Sequence, residues 1–261
     1  MRWLNLPAVI VAAILTVGCA PRPADSRDIL RLTLETDDGF AIAASLYRVP
    51  NPRPPGLILV HMLGRDRRDW DSFARRAQQE GIMSIAFDMR GHGESTKRGD
   101  ARVSYTSFSP SDWMKVVYDF SAAKKALLDA QADQENLAAA GASIGANLAL
   151  TYAAGDDEIQ AVILLSPGLD YHGVQAATAM KAYGNRPVLL MTASGDAYSA
   201  QSCVDLRAAA VGQCEIREYD GGAHGTDLLD AHAQCGEQIL LWLRPIIGVA
   251  TERTERNGPL P

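Results

Sequence analysis

Between Leu57 and Tyr219 the sequence sets short apolar runs apart with longer stretches of mixed polarity. The runs are Leu57–Val60, Ile82–Phe87, Leu137–Ala140, Ala161–Leu165 and Val188–Thr192, followed by the alternating segment Glu215–Tyr219. A strand with no polar face must be covered on both sides, which is the condition of a strand inside a parallel sheet. The intervening stretches, 67–80, 111–130, 144–154, 174–182 and 199–210, and the closing stretch 226–243, read as helices. Alternating strands and helices of this kind pack as a mostly parallel sheet with helices on both faces. Ahead of them, Leu30–Leu34 alternates with period two, Asp37-Asp38-Gly39 is a turn signal, and Phe40–Tyr47 continues as a second strand. That pair is a hairpin, so the expectation is eight strands with one antiparallel pair at the start.

Composition sharpens this at two points. The chain has 261 residues, enough for one large α/β domain or two small ones, and 47% are hydrophobic, so a packed core is expected. The net charge of −6 argues against a nucleic-acid binder, whose affinity rests on neutralising phosphates.

The first residues do not fit the alternation. Met1-Arg2 precedes an apolar run from Ala8 to Val17 that ends Gly18-Cys19, a run too short for a membrane span but suited to an export signal. Thr16-Val17-Gly18-Cys19 resembles a bacterial lipobox, with Thr16 where Leu is usual. That resemblance implies lipidation of Cys19 and anchoring to a membrane of the bacterial envelope by acyl chains. The alternative is soluble secretion, but its cleavage after Ala20 would place Pro21 just beyond the cut. The expected organisation is a signal peptide over 1–18, a tether over 19–28, a catalytic α/β domain over 29–247 and a polar tail over 248–261.

The residues that carry chemistry stand at strand ends. Gly141-Ala142-Ser143-Ile144-Gly145 follows an apolar strand and opens a helix. The bare G-x-S-x-G pattern is weak, but a serine on a tight strand-to-helix turn needs small neighbours, and glycine and alanine supply them. The turn also aims a helix N-terminus, with its free N–H groups, at whatever Ser143 attacks. A serine hydroxyl needs a base to take its proton. Of five histidines, His224 lies in a glycine-rich loop, Gly221–Gly225, between the last strand and the last helix, and is the expected base. His232 falls inside a predicted helix, His172 is a candidate substrate contact in a loop, and His61 and His92 end earlier strands. The carboxylate that holds the imidazole is expected to be Asp196, after strand Val188–Thr192, with Asp170 as its rival. An oxyanion site needs two backbone donors. The Ile144 N–H is one, and the loop His61-Met62-Leu63-Gly64 supplies the other, Leu63 first and Met62 second. No His/Cys/Asp cluster has metal-ligand spacing, and no cofactor is expected.

Taken together, the elbow Gly141–Gly145, the chain order Ser143, Asp196, His224 and the segment Asp88-Met89-Arg90-Gly91-His92-Gly93-Glu94-Ser95 resemble the α/β-hydrolase family over residues 30–245. The resemblance implies an α/β-hydrolase fold and attack by Ser143 through an acyl-enzyme. It also implies a structural role for Arg90–Gly93, which removes His92 from the chemistry. Only about 22 residues separate Leu165 from Val188, too few for a large lid, so small or medium acyl esters are the expected substrates. The loop 96–111, with Tyr105 and Phe108, is either an acyl-pocket wall or an ordinary surface loop. Two alternatives stay open: an amide or peptide hydrolase of the same fold, and a non-catalytic, lipid-anchored binding or scaffold protein. With Cys19 assigned to lipid, three cysteines remain; an exported domain permits a disulfide, and Cys203 with Cys214 is the expected pair.

Overall fold

The computed structural model describes residues 29–249. The signal peptide and tether expected over 1–28, with Cys19 among them, lie outside the described residues, as does the expected tail over 248–261 apart from Gly248 and Val249. In chain order the elements are β1 (Ile29–Glu35), β2 (Phe40–Tyr47), β3 (Pro55–Val60), α1 (Asp71–Gln79), β4 (Met83–Phe87), β5 (Lys97–Arg98) and β6 (Ala101–Arg102). There follow α2 (Pro110–Met114), α3 (Val117–Asp129), β7 (Asp133–Ala142), α4 (Ile144–Ala154), β8 (Ile159–Leu165), β9 (Asp170–Tyr171), β10 (Val174–Gln175) and α5 (Ala176–Tyr183). The chain continues through β11 (Val188–Ala193), α6 (Ala197–Ala209), β12 (Cys214–Tyr219), α7 (Asp227–Ala231) and α8 (Ala233–Leu243).

The main sheet runs β12-β11-β8-β7-β3-β4-β2-β5-β6, with β1 paired to β2. From β12 to β4 every pairing is parallel; β1, β2, β5 and β6 pair antiparallel. This is the α/β-hydrolase architecture the resemblance implied. Its eight long strands are the expected ones, and the two-residue strands β5 and β6 extend the edge.

Burial follows the period-two rule. On β3, Ile58 and Val60 face one core while Leu57 and Leu59 face the other. On β8, Val162 and Leu164 divide from Ala161, Ile163 and Leu165 in the same way. The first core is closed by α3, α4 and α5, through residues such as Phe120, Leu148 and Met180. The second is closed by α1 and α8, through Phe73, Ile239 and Leu243.

Two expected helices are each broken in two. Residues 111–130 divide at Lys115–Val116, where tight i→i+3 bonds (Lys115 N–H to Asp112 O, Val116 N–H to Trp113 O) re-aim the chain so that both Trp113 and Val116 are buried. Residues 226–243 divide at His232, which is extended and stacks its ring on Tyr219 at 4.7 Å. The segment between β8 and β11 holds the β9–β10 ribbon and α5, and no large lid. The expected Cys203–Cys214 disulfide is not formed: both residues, and Cys235, are free thiols. Burial pushes the Cys203 thiol up to about 12 and the Cys214 thiol up to about 11, which disfavours the thiolate through which such a bond forms.

Candidate active site

The turn from β7 to α4 is made by one residue. Ser143 has φ +54° and ψ −123°, a conformation that costs a side-chain-bearing residue about 1–3 kcal/mol. Close backbone approach enforces the glycines on either side. A Cβ on Gly141 would collide with the Gly145 carbonyl, and one on Gly145 with the carbonyls of His61 and Val60. The Ser143 N–H donates to the Leu165 carbonyl at 2.8 Å, tying the turn to β8.

The structure brings three of the expected residues together. His224 Nε2 lies 2.8 Å from Ser143 Oγ, and His224 Nδ1 lies 2.6 Å from Asp196 Oδ2. A carboxylate only accepts, so the proton sits on Nδ1 and Nε2 is left as the acceptor for the serine hydroxyl. Burial pushes the Asp196 carboxyl up, but hydrogen bonds from His224, Ser199 and Ser166 outweigh it and hold the group below the ordinary carboxylate range. The two loops that carry Asp196 and His224 are joined by Gly195 N–H donating to the Gly221 carbonyl at 2.7 Å. Asp170, the rival carboxylate, is engaged elsewhere: its Oδ1 accepts from Gly173 N–H at 2.7 Å and closes the β9–β10 turn. His172 occupies that turn with φ +54°, its ring 5.4 Å from Trp113.

The loop after β3 is set by His61, which is fully buried. Its Nε2 accepts from the Met89 N–H at 2.9 Å, so Nδ1 carries the hydrogen and donates to the Met62 carbonyl at 2.8 Å. Burial pushes this imidazole down to about 4 and keeps it neutral. Because a trans peptide points its C=O and N–H in opposite directions, the Leu63 N–H faces away from His61. The Met62 side chain packs against Gly225, whose Cβ would lie 2.6 Å from Met62 Sδ. At the start of α4 the Ile144 N–H precedes the first possible intrahelical partner.

His92 stands behind that loop. It stacks on Tyr105 at 3.9 Å and meets His61 edge-on at 5.1 Å. Its Nδ1 faces the Arg90 carbonyl at 3.2 Å, and burial pushes it down to about 3. The rest of the Asp88–Ser95 segment is a lattice of buried ion pairs. Asp88 binds Arg67 at 2.5 Å, and Arg90 binds Asp119 at 2.7 Å and Asp38 at 2.7 Å. Among the described residues, no group of three or more His, Cys, Asp or Glu could hold a metal ion.

Sequence reasoning missed the residues on the β8 flank. Asn147, one turn along α4 from Ser143, is fully buried and donates to the carbonyls of Gly168 and Val174, both at 2.9 Å. Ser166 Oγ accepts from Gly225 N–H at 2.9 Å, beside His224. Tyr171, between Asp170 and His172, turns its ring edge-on to His224 at 6.5 Å. A polar Asn inside the apolar helix Ile144–Ala154 was the one available signal.

The serine aminopeptidase S33 family matches this chain over residues 54–186. No curated protein matches it. Among solved structures, the α/β hydrolase GrgF from a Penicillium species superposes with a TM-score of 0.71 at 14% identity, covering 84% of this chain and 99% of that one. An esterase from Pyrococcus furiosus gives 0.66 at 15% identity, covering 84% and 91%. A dienelactone hydrolase from Anabaena variabilis gives 0.64 at 18% identity, covering 84% and 97%. At these identities the likeness is one of fold.

Proposed function

The chain belongs to the serine aminopeptidase S33 family of α/β-hydrolases, and on that premise we propose that it is a serine hydrolase acting on carboxylic esters with small or medium acyl groups. The reading is carried by one observation: the continuous hydrogen-bond chain from Ser143 through His224 to Asp196, at 2.8 Å and 2.6 Å, beside the N-terminus of α4.

In this reading His224 Nε2 takes the Ser143 proton while Oγ attacks the ester carbonyl carbon. The developing oxyanion is held by the backbone N–H groups of Ile144 and Leu63, with the Met62 N–H as the second choice for the latter. Leu63 is favoured because His61 occupies the carbonyl of the same peptide and so fixes which way its N–H points. His224 returns the proton to the leaving oxygen, the carbon–oxygen bond breaks and the alcohol departs. Water then gives a proton to His224 and attacks the acyl-enzyme, releasing the acid and restoring Ser143. The short β8–β11 segment leaves the cleft uncapped, which supports small or medium acyl groups over long ones. Amide cleavage is the second reading, favoured by the family description.

Labelling with a serine-reactive phosphonate tests the assignment. The wild type takes up the label and Ser143→Ala does not, and turnover of the variant falls by roughly 10³-fold or more. Equal labelling of both removes Ser143 as nucleophile, and no labelling of the wild type favours a non-catalytic scaffold. A panel of esters and amides of graded acyl length then separates the two hydrolytic readings.

A further inference from the structure

Ser143 sits between two flanks, because β7 has β3 on one side and β8 on the other. In the hydrolase reading, the loop after β3 supplies one backbone donor, Leu63, and the start of α4 the other, Ile144. Tyr171 stands on the β8 flank, on the β9–β10 ribbon, half-buried. Its hydroxyl lies 3.3 Å from Ser199 Oγ and 3.5 Å from the Ser166 carbonyl. Both separations exceed the about 2.5–3.0 Å of a well-formed O–H···O bond. Its ring stands edge-on to His224, 6.5 Å between centroids, and burial raises the phenol's pKa, so the group keeps its proton. A donor beside the histidine is thus held without a short acceptor of its own.

That placement is rigid. Asn147 pins both ends of the ribbon from the helix that Ser143 opens, and Gly168 N–H returns a bond to Asn147 Oδ1 at 3.2 Å. Tyr198 Oη bonds both the N–H and the C=O of Asp170, at 3.1 and 3.0 Å. The Tyr171 ring lies over Gly168, where a Cβ would stand 2.7 Å from it. A group fixed this way offers its hydrogen bond without reorganising during the reaction.

We propose that Tyr171 is a catalytic residue whose O–H donates a hydrogen bond to the leaving-group oxygen of the substrate, and so decides which alcohols are released readily. The assignment rests on the hydrolase reading above. In the tetrahedral intermediate the oxyanion turns to the β3 flank, toward the Leu63 and Ile144 N–H groups. The leaving oxygen must turn the other way, toward His224 and hence toward Tyr171. As the acyl carbon–oxygen bond breaks, its electron pair goes to the leaving oxygen and the His224 Nε2 proton follows. Tyr171 keeps its own proton and stabilises the transient charge.

The test compares wild type and Tyr171→Phe on two esters of one acid, ethyl butyrate and p-nitrophenyl butyrate. The measured quantity is kcat/KM, which reports the steps up to acylation. The phenyl ring still covers Gly168, and phosphonate uptake by the variant shows that the elbow is intact. The expected result is a loss of about tenfold on the ethyl ester, whose leaving group needs help, and of less than about twofold on the p-nitrophenyl ester. Equal losses on the two, or none, overturn the role of Tyr171 while leaving the hydrolase reading in place. A wild type that cleaves neither ester and takes up no phosphonate overturns both.

Discussion

On the β3 flank of Ser143, the loop is held by groups that titrate or carry charge: His61, His92 and the buried pair Arg67–Asp88. On the β8 flank most of the comparable work falls to neutral groups, Asn147, Ser166, Ser199, Tyr198 and Tyr171, with the Asp170 carboxylate closing the ribbon turn. Both flanks are densely hydrogen-bonded, yet they must answer differently to acid and to truncation. An uncharged network is indifferent to pH over the physiological range. A network of buried imidazoles and ion pairs is stable only while each member keeps the protonation state its partners require.

The sharpest break in the charged flank is Asp88→Ala. Asp88 accepts from the guanidinium and backbone N–H of Arg67 and from the Glu94 N–H, at 2.5, 2.8 and 2.8 Å. Its removal leaves Arg67, 2% exposed, with only the solvent-facing Glu94 as a counter-charge. Stripping one partner from a buried pair costs about 3–5 kcal/mol. Urea denaturation should show a loss of that size; a loss below about 1 kcal/mol would mean the pair does not hold this flank.

The next effect is pH dependence. The folded-state pKa of His61 is pushed down to about 4 from an ordinary 6.5, and that of His92 down to about 3. The unfolded chain therefore binds protons that the folded chain refuses. Stability from His61 is complete above pH 6.5 and is lost as pH falls toward 4, by roughly 3 kcal/mol. Burial pushes the Asp119 carboxyl up to about 6 and works in the opposite direction over the same range, so the contribution of His61 is read as the difference between wild type and His61→Gln. A difference that stays level from pH 7 to pH 4 would contradict it.

Legibility in the sequence divided along similar lines. The β3 flank could be read because its parts are local: apolar runs mark β3 and β4, and the Asp88–Ser95 segment is contiguous. The elbow could be read because Gly141 and Gly145 answer to sterics within one turn. His224 and Asp196 could be placed in loops at strand ends, although Asp170, in the loop after the preceding strand, satisfies the same chain order, and only the structure shows which carboxylate meets His224. The β8 flank was not legible, since β9 and β10 are two residues each, too short to show alternation. Asn147, Gly168 and Val174 meet only after the sheet has formed. The broken helices share that cause: burial of Trp113 and Val116 on one side, and His232 against Tyr219, is decided by tertiary packing rather than by periodicity.

The smallest of these effects isolates the neutral flank. Asn147→Ala deletes the donor to the Gly168 and Val174 carbonyls and the acceptor for Gly168 N–H, three contacts inside a fully buried site. Leaving such groups unpaired costs roughly 1–3 kcal/mol. Alanine carries no charge, and the bonds it removes bind no proton between pH 4 and 7. The variant's curve of stability against pH should therefore lie below that of the wild type by a constant amount, with the same slope from His61 and His92. Chemical denaturation at pH 7, 5.5 and 4 measures that displacement. A gap that closes or widens with acid would mean the two flanks are coupled through Ser143 rather than held independently on either side of it.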